Sequence, residues 1–76
     1  MNKYSLIQSE QLSGAVSYLG VFRQTSPIQG KYVIAWHTPG VIEVEESEID
    51  IVSPVFSDRG TAAIFELGFK SGWERA

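Results

Sequence analysis

The chain has no cysteine, a single histidine, three prolines and no long uninterrupted apolar run. Without cysteine there are no disulfides and no thiolate metal sites, and a reducing compartment fits. A bilayer span needs about 20 consecutive apolar residues, and none exists here. The segment MNKYSLIQSEQL has no apolar stretch behind Lys3, so neither a secretory signal nor a membrane anchor is expected. The expectation is a cytoplasmic protein without membrane contact. Basic residues are also scarce, six against nine acids, for a net charge of −3. Residues 32–58 hold six acids (Glu43, Glu45, Glu46, Glu48, Asp50 and Asp58) and no Lys or Arg. That middle would repel phosphate and argues against a basic nucleic-acid footprint.

What is present is apolar. At 76 residues and 43% hydrophobic content, the chain is too short for two cores and too apolar for disorder, so residues 1–76 read as a single domain. Cores of this size supply only about 3–5 kcal/mol, and small domains add disulfides, a metal or a second copy of themselves. With cysteine absent, a homo-oligomer is the cheapest remaining support.

Turn chemistry punctuates the chain. Thr38-Pro39-Gly40 separates two strand-like runs, Lys31–His37 and Val41–Glu46. Asp58-Arg59-Gly60 has the pattern of a three-residue hairpin loop between Ile51–Ser57 and Thr61–Lys70. Pro54 marks the earlier of these runs as an edge or a bend. Residues 61–70 fit two periods. Ala62, Phe65, Phe69 and Trp73 fall at helical spacing, whereas Ala63, Phe65, Leu67 and Phe69 alternate as in a strand. Gly68 and Gly72 would each cost a helix about 1 kcal/mol, which favours the strand. A single helical turn is expected near residues 9–13, then a strand over Ala15–Arg23 and a loop over Gln24–Gly30. Five or six short strands in so small a chain imply an all-β fold, a compact antiparallel barrel or curled sheet.

The piece GKYVIAWHTPGVIEVEESEIDIV, residues 30–52, resembles the middle of SH3-like small barrels of the Tudor and KOW type. In those barrels a strand ending near the position of Trp36 turns at a glycine, and the chain returns before a short acidic turn and a final strand. The resemblance covers 23 of the 76 residues. It implies a binding domain, since such barrels mostly hold peptides, methylated side chains, nucleic acid or neighbouring subunits.

If Lys31–His37 and Val41–Glu46 form one hairpin, its register decides what Tyr32 and Trp36 do. A two-residue loop, Pro39-Gly40, sets Trp36 opposite Glu43 and Ile34 opposite Glu45. Tyr32 then shares an aromatic surface fenced by carboxylates, suited to a Lys or Arg side chain. A three-residue loop, Thr38-Pro39-Gly40, pairs Trp36 with Ile42 and Ile34 with Val44. That divides the hairpin more cleanly into a core face and a solvated acidic face.

Catalytic constellations are missing. His37 has no cysteine to pair with, and no Gly-x-Ser-x-Gly turn presents a serine to it; a hairpin-end histidine near solvent is the simpler reading. His37 with Glu43 and Glu45 makes a poor zinc set, and no phosphate-binding glycine pattern occurs, so neither metal nor cofactor is expected. Trp73 in the tail SGWERA either packs back or, with Arg75, anchors a partner. The sequence therefore points to a non-catalytic protein-interaction module, a small acidic regulator, inhibitor or accessory subunit that binds a partner protein presenting Lys or Arg. Its candidate contact residues are Tyr32, Trp36, Glu43, Glu45, Trp73 and Arg75. Two rival readings stand beside it. One is a nucleic-acid-binding barrel that gathers Lys3, Arg23, Lys31 and Lys70; the other is an enzyme whose site forms only at an oligomer interface.

Overall fold

The structure, a computed structural model, describes residues 1–75. Five antiparallel strands, β1 (Lys3–Gln11), β2 (Tyr18–Ser26), β3 (Tyr32–His37), β4 (Glu43–Glu45) and β5 (Asp50–Ile51), form one sheet in the spatial order β4-β1-β2-β3-β5. A 17-residue helix, α1 (Arg59–Arg75), follows.

The sheet is curled because its two edges are tied together. β4 and β5 lie on opposite edges, yet only a 3-10 turn, Glu46–Glu48, and Ile49 separate them in sequence. Even extended, that link reaches at most about 17 Å. A flat sheet would hold its outermost strands about 19 Å apart. Closure is helped by a bulge at Ile7, where the β1–β2 register slips between Leu6 and Gln8. The 3-10 turn is pinned to the start of β1: the Glu46 backbone N–H donates to the Asn2 carbonyl at 3.1 Å, and the Tyr4 hydroxyl donates to Glu46 Oε1 at 2.9 Å. A hydrogen bond from Asn2, then the one from Tyr4, holds the Glu46 carboxyl below its ordinary pKa.

Curling encloses one apolar face. Tyr4, Phe22, Val33, Ala35 and Val44 fill it, with Leu6, Val41, Ile49 and Ile51 packed around them. The opposite face carries Leu12, Leu19, Val21 and Ile34, and α1 covers it with Ala62, Phe65 and Phe69. β2 and β3 are thus buried on both sides, which is why YLGVF and YVIAW are nearly continuous apolar runs.

The structure corrects several local expectations. Residues 61–70 are helix, and Asp58 is its N-cap rather than the start of a hairpin loop. Asp58 Oδ2 accepts from the Thr61 N–H at 2.9 Å, and the Asp58 carbonyl accepts from the Ala62 N–H at 3.2 Å. The helical spacing of Ala62, Phe65 and Phe69 prevails because it fits one apolar sheet face, whereas the strand pattern would need a further neighbour. Residues 9–11 belong to β1, and the expected helical turn is the β1–β2 turn, with Gly14 at φ +78°. β2 runs on to Ser26, into the expected loop. Beyond β5 the chain follows β3 irregularly, as Pro54 indicates, with one further bridge between Tyr32 and Phe56. Most consequentially, Thr38-Pro39-Gly40 is not a hairpin turn. β3 pairs with β5, and the chain crosses over so that β4 pairs with β1. Neither hairpin register applies.

Gly20 is required by close packing. A Cβ there would lie 2.7 Å from His37 Cδ2, 2.7 Å from Leu6 Cδ1 and 2.9 Å from Phe22 Cε1. The missing side chain lets His37 reach diagonally from β3 across β2 to Ser9 on β1, with 2.8 Å between Nε2 and Oγ. Alanine in place of glycine ordinarily favours a strand. Here Gly20→Ala should instead destabilise by about 1–3 kcal/mol, and Gly20→Val by more, as read from the midpoint of urea unfolding. A Gly20→Ala chain as stable as the parent would contradict this packing.

Candidate functional site

An open groove of about 620 Å³ lies at one end of the sheet. Four segments build it: the β1–β2 turn (Gly14–Ser17), the end of β3 (Trp36–Thr38), the acidic link (Ser47–Asp50) and Trp73 from α1. β3 pairs with β5, so Trp36 stands directly beside Asp50, with both side chains on one face. Trp36 also contacts the rings of Phe69 and Trp73, with centroids 5.7 and 5.3 Å away and the planes steeply inclined. Trp73 packs back onto the domain: its indole N–H donates to the Ser13 carbonyl at 2.9 Å, while 37% of its surface stays exposed.

The groove therefore has an aromatic wall and an acidic rim. Glu48 and Asp50 are both exposed, and neither Lys nor Arg is among its lining residues. Glu48 is held partly in place because its Oε1 accepts the Glu45 backbone N–H at 2.8 Å. Such a surface attracts a cation twice, through the carboxylates and through the indole faces.

The sequence-derived contact residues divide among separate places. Trp36 and Trp73 meet in the groove. Tyr32 lies farther along β3, against the helix-covered cluster and beside Arg23 and Gly30. Glu43 and Glu45 sit on β4, opposite Ser5 and Lys3 and away from the tryptophans. Arg75 is exposed in the last turn of α1. The pairing of aromatics with acids that one hairpin register suggested does exist, but Glu48 and Asp50 provide it. Finding them from sequence would have required recognising that Trp36 pairs with the second acidic stretch rather than the first.

His37 is buried, not near solvent. Its Nδ1 lies 2.8 Å from the Thr38 carbonyl, which can only accept, so Nδ1 carries a proton, and Nε2 is hydrogen-bonded with the Ser9 hydroxyl. The ring stands edge-on to Phe22 at 5.4 Å. Both nitrogens are thus satisfied within the core. Of the basic residues, Lys70 is bound to Glu10 at 2.9 Å, and Lys3 lies opposite Glu45. No cluster of three or more potential metal ligands occurs among the described residues. No helix among them is long and apolar enough to cross a membrane.

Comparison with protein-family models, with curated proteins and with solved structures finds no significant match, so function is read from the geometry.

The wall formed by Trp73 depends on the docking of α1, and that docking carries a titratable group. Glu66 is 2% exposed, and its Oε2 has no hydrogen-bond partner. Burial pushes its pKa up; Glu10 adds to the shift, and Lys70 opposes it. A carboxyl raised on folding binds its proton more tightly when folded. Its contribution is fully present below the ordinary glutamate value near 4.5 and is lost as pH rises through the raised value. Glu46, held low, acts in the separate window below its ordinary value, where stability falls with falling pH. Above pH 4.5, therefore, thermal stability should decline toward neutrality. Glu66→Gln should remove most of that decline and raise Tm at pH 7, as followed by circular dichroism. A parent and a variant with parallel stability curves from pH 5 to 8 would contradict the assignment.

Proposed function

We propose that this protein is a non-catalytic interaction module whose groove receives a Lys or Arg side chain from a partner protein. The carrying observation is the apposition of Trp36 with Asp50, flanked by Glu48 and Trp73, in an open groove without a basic lining residue. A guanidinium or ammonium seated there would gain roughly 0.5–2 kcal/mol from the ring faces. The rim charges would speed encounter and reject acidic surfaces. The resemblance of residues 30–52 to SH3-like barrels, which mostly bind rather than catalyse, supports the same reading. A small regulator, inhibitor or accessory subunit would act in this way, by occupying a partner's surface.

The test uses short arginine-rich and lysine-rich peptides, with tryptophan fluorescence as the readout. Binding should weaken as salt rises. Replacing Glu48 and Asp50 together by Lys should raise Kd by about tenfold or more, a loss of about 1.4 kcal/mol, and flatten the salt dependence. Glu43→Lys with Glu45→Lys, on the separate β4 edge, should change Kd far less. Equal losses from the two pairs would show that overall charge, not the groove, governs binding. A response to single-stranded oligonucleotides in place of the peptides would favour a nucleic-acid-binding barrel.

A further inference from the structure

We infer that the groove, as a receptor for basic side chains, selects arginine over lysine, and that Asp50 is the residue that reads the guanidinium; this rests on the function proposed above and adds the chemistry of the group it takes. What the groove offers a ligand is narrow. The Trp73 indole N–H is engaged by the Ser13 carbonyl, so Trp73 presents carbon to the groove. Both ring nitrogens of His37 are hydrogen-bonded within the chain, to Thr38 and Ser9. The charged lining residues are Glu48 and Asp50 alone, so an anionic ligand finds no counter-charge there.

The two carboxylates are not equivalent. Glu48 stands in the 3-10 turn, and its Oε1 already accepts the Glu45 backbone N–H at 2.8 Å. Asp50 is fixed on β5 by its pairing with Trp36, and among the described residues no donor reaches either of its carboxylate oxygens. It therefore holds both acceptors ready on a short side chain beside the indole. A guanidinium matches that fork with two parallel N–H···O bonds, whereas an ammonium does not. Directly opposed strand residues set their Cβ atoms about 5 Å apart, so a flat group lying against the Trp36 ring reaches the Asp50 carboxylate without leaving the ring.

Ring packing points the same way. Trp36 meets Phe69 and Trp73 at interplanar angles of 70° and 61°, so these rings rest on one another instead of standing apart around a hole. That arrangement suits a flat cation on one ring face and not a compact ammonium enclosed by several. In an open groove a lysine ammonium stays hydrated as a point charge. A guanidinium is more weakly hydrated and stacks through its plane, so it uses one ring face and one carboxylate at once.

The probes are two matched peptides, acetyl-Gly-Ser-Arg-Ser-Gly-amide and its Lys counterpart, titrated into the full chain while NMR follows the indole N–H signals of Trp36 and Trp73. The Arg peptide should bind about fivefold more tightly, or better. Asp50→Asn keeps the size of an exposed side chain while removing the charge and half of the fork, and its urea midpoint should match the parent's. It should weaken the Arg peptide about tenfold and the Lys peptide only about two- to threefold, so that the preference disappears. Glu48→Gln should weaken both peptides alike. Equal affinity of the parent for the two peptides, or an Asp50→Asn chain that weakens both by the same factor, would overturn the arginine assignment and leave the groove's function standing. Peptides that move neither indole signal at millimolar concentration would remove that function, and the arginine assignment with it.

Discussion

A sheet whose central strands are apolar on both faces has to be covered twice, and everything else in this molecule follows from how that is done. On one side the sheet covers itself by curling, because the short acidic link between β4 and β5 draws its two edges together. On the other side α1 lies across Leu19, Val21 and Ile34. Neither cover suffices alone. Losing the link would open the cluster around Phe22, and losing the helix would expose the second cluster to water, at about 25 cal/mol for each Å² of apolar surface. The groove sits where the two covers meet, with the link supplying the acids and the helix supplying Trp73.

Much of the fold could be read along the chain. β2 and β3 lie close to the runs that alternation and turn residues suggested, no expected run corresponds to β1, and the all-β curled sheet holds. The errors have two physical sources. Residues 61–70 satisfy both periods, and the glycine cost that seemed to exclude a helix is offset by burial of Ala62, Phe65 and Phe69, a long-range effect that no local window contains. Thr38-Pro39-Gly40 has good turn chemistry, but turn chemistry says only that the chain bends, not which strand it joins next. Because β3 turned toward β5, the acid facing Trp36 became Asp50, with Glu48 on the same groove, instead of Glu43 and Glu45. Residue types at the site were therefore legible as aromatic next to acid, while residue identities depended on sheet order.

Electrostatics divides along the same seam. In the link the Glu46 carboxylate is hydrogen-bonded by Asn2 and Tyr4 and so favoured in its charged form. The docked face of α1 carries the opposite arrangement, a buried Glu66 pushed toward its neutral form beside the Glu10–Lys70 ion pair. A buried carboxyl with an unsatisfied oxygen is costly, and Glu66 stands on the docked face of the helix itself.

The account stands or falls on α1 being an integral cover rather than an appendage, and amide hydrogen exchange measures that most directly. If the helix and sheet form one cooperative unit, amides of Phe65–Phe69 will exchange as slowly as those of Leu19–Phe22 in β2, through the same global opening. Rapid exchange throughout α1 beside a protected β2 would contradict the account, because the second apolar face would then be left without its cover.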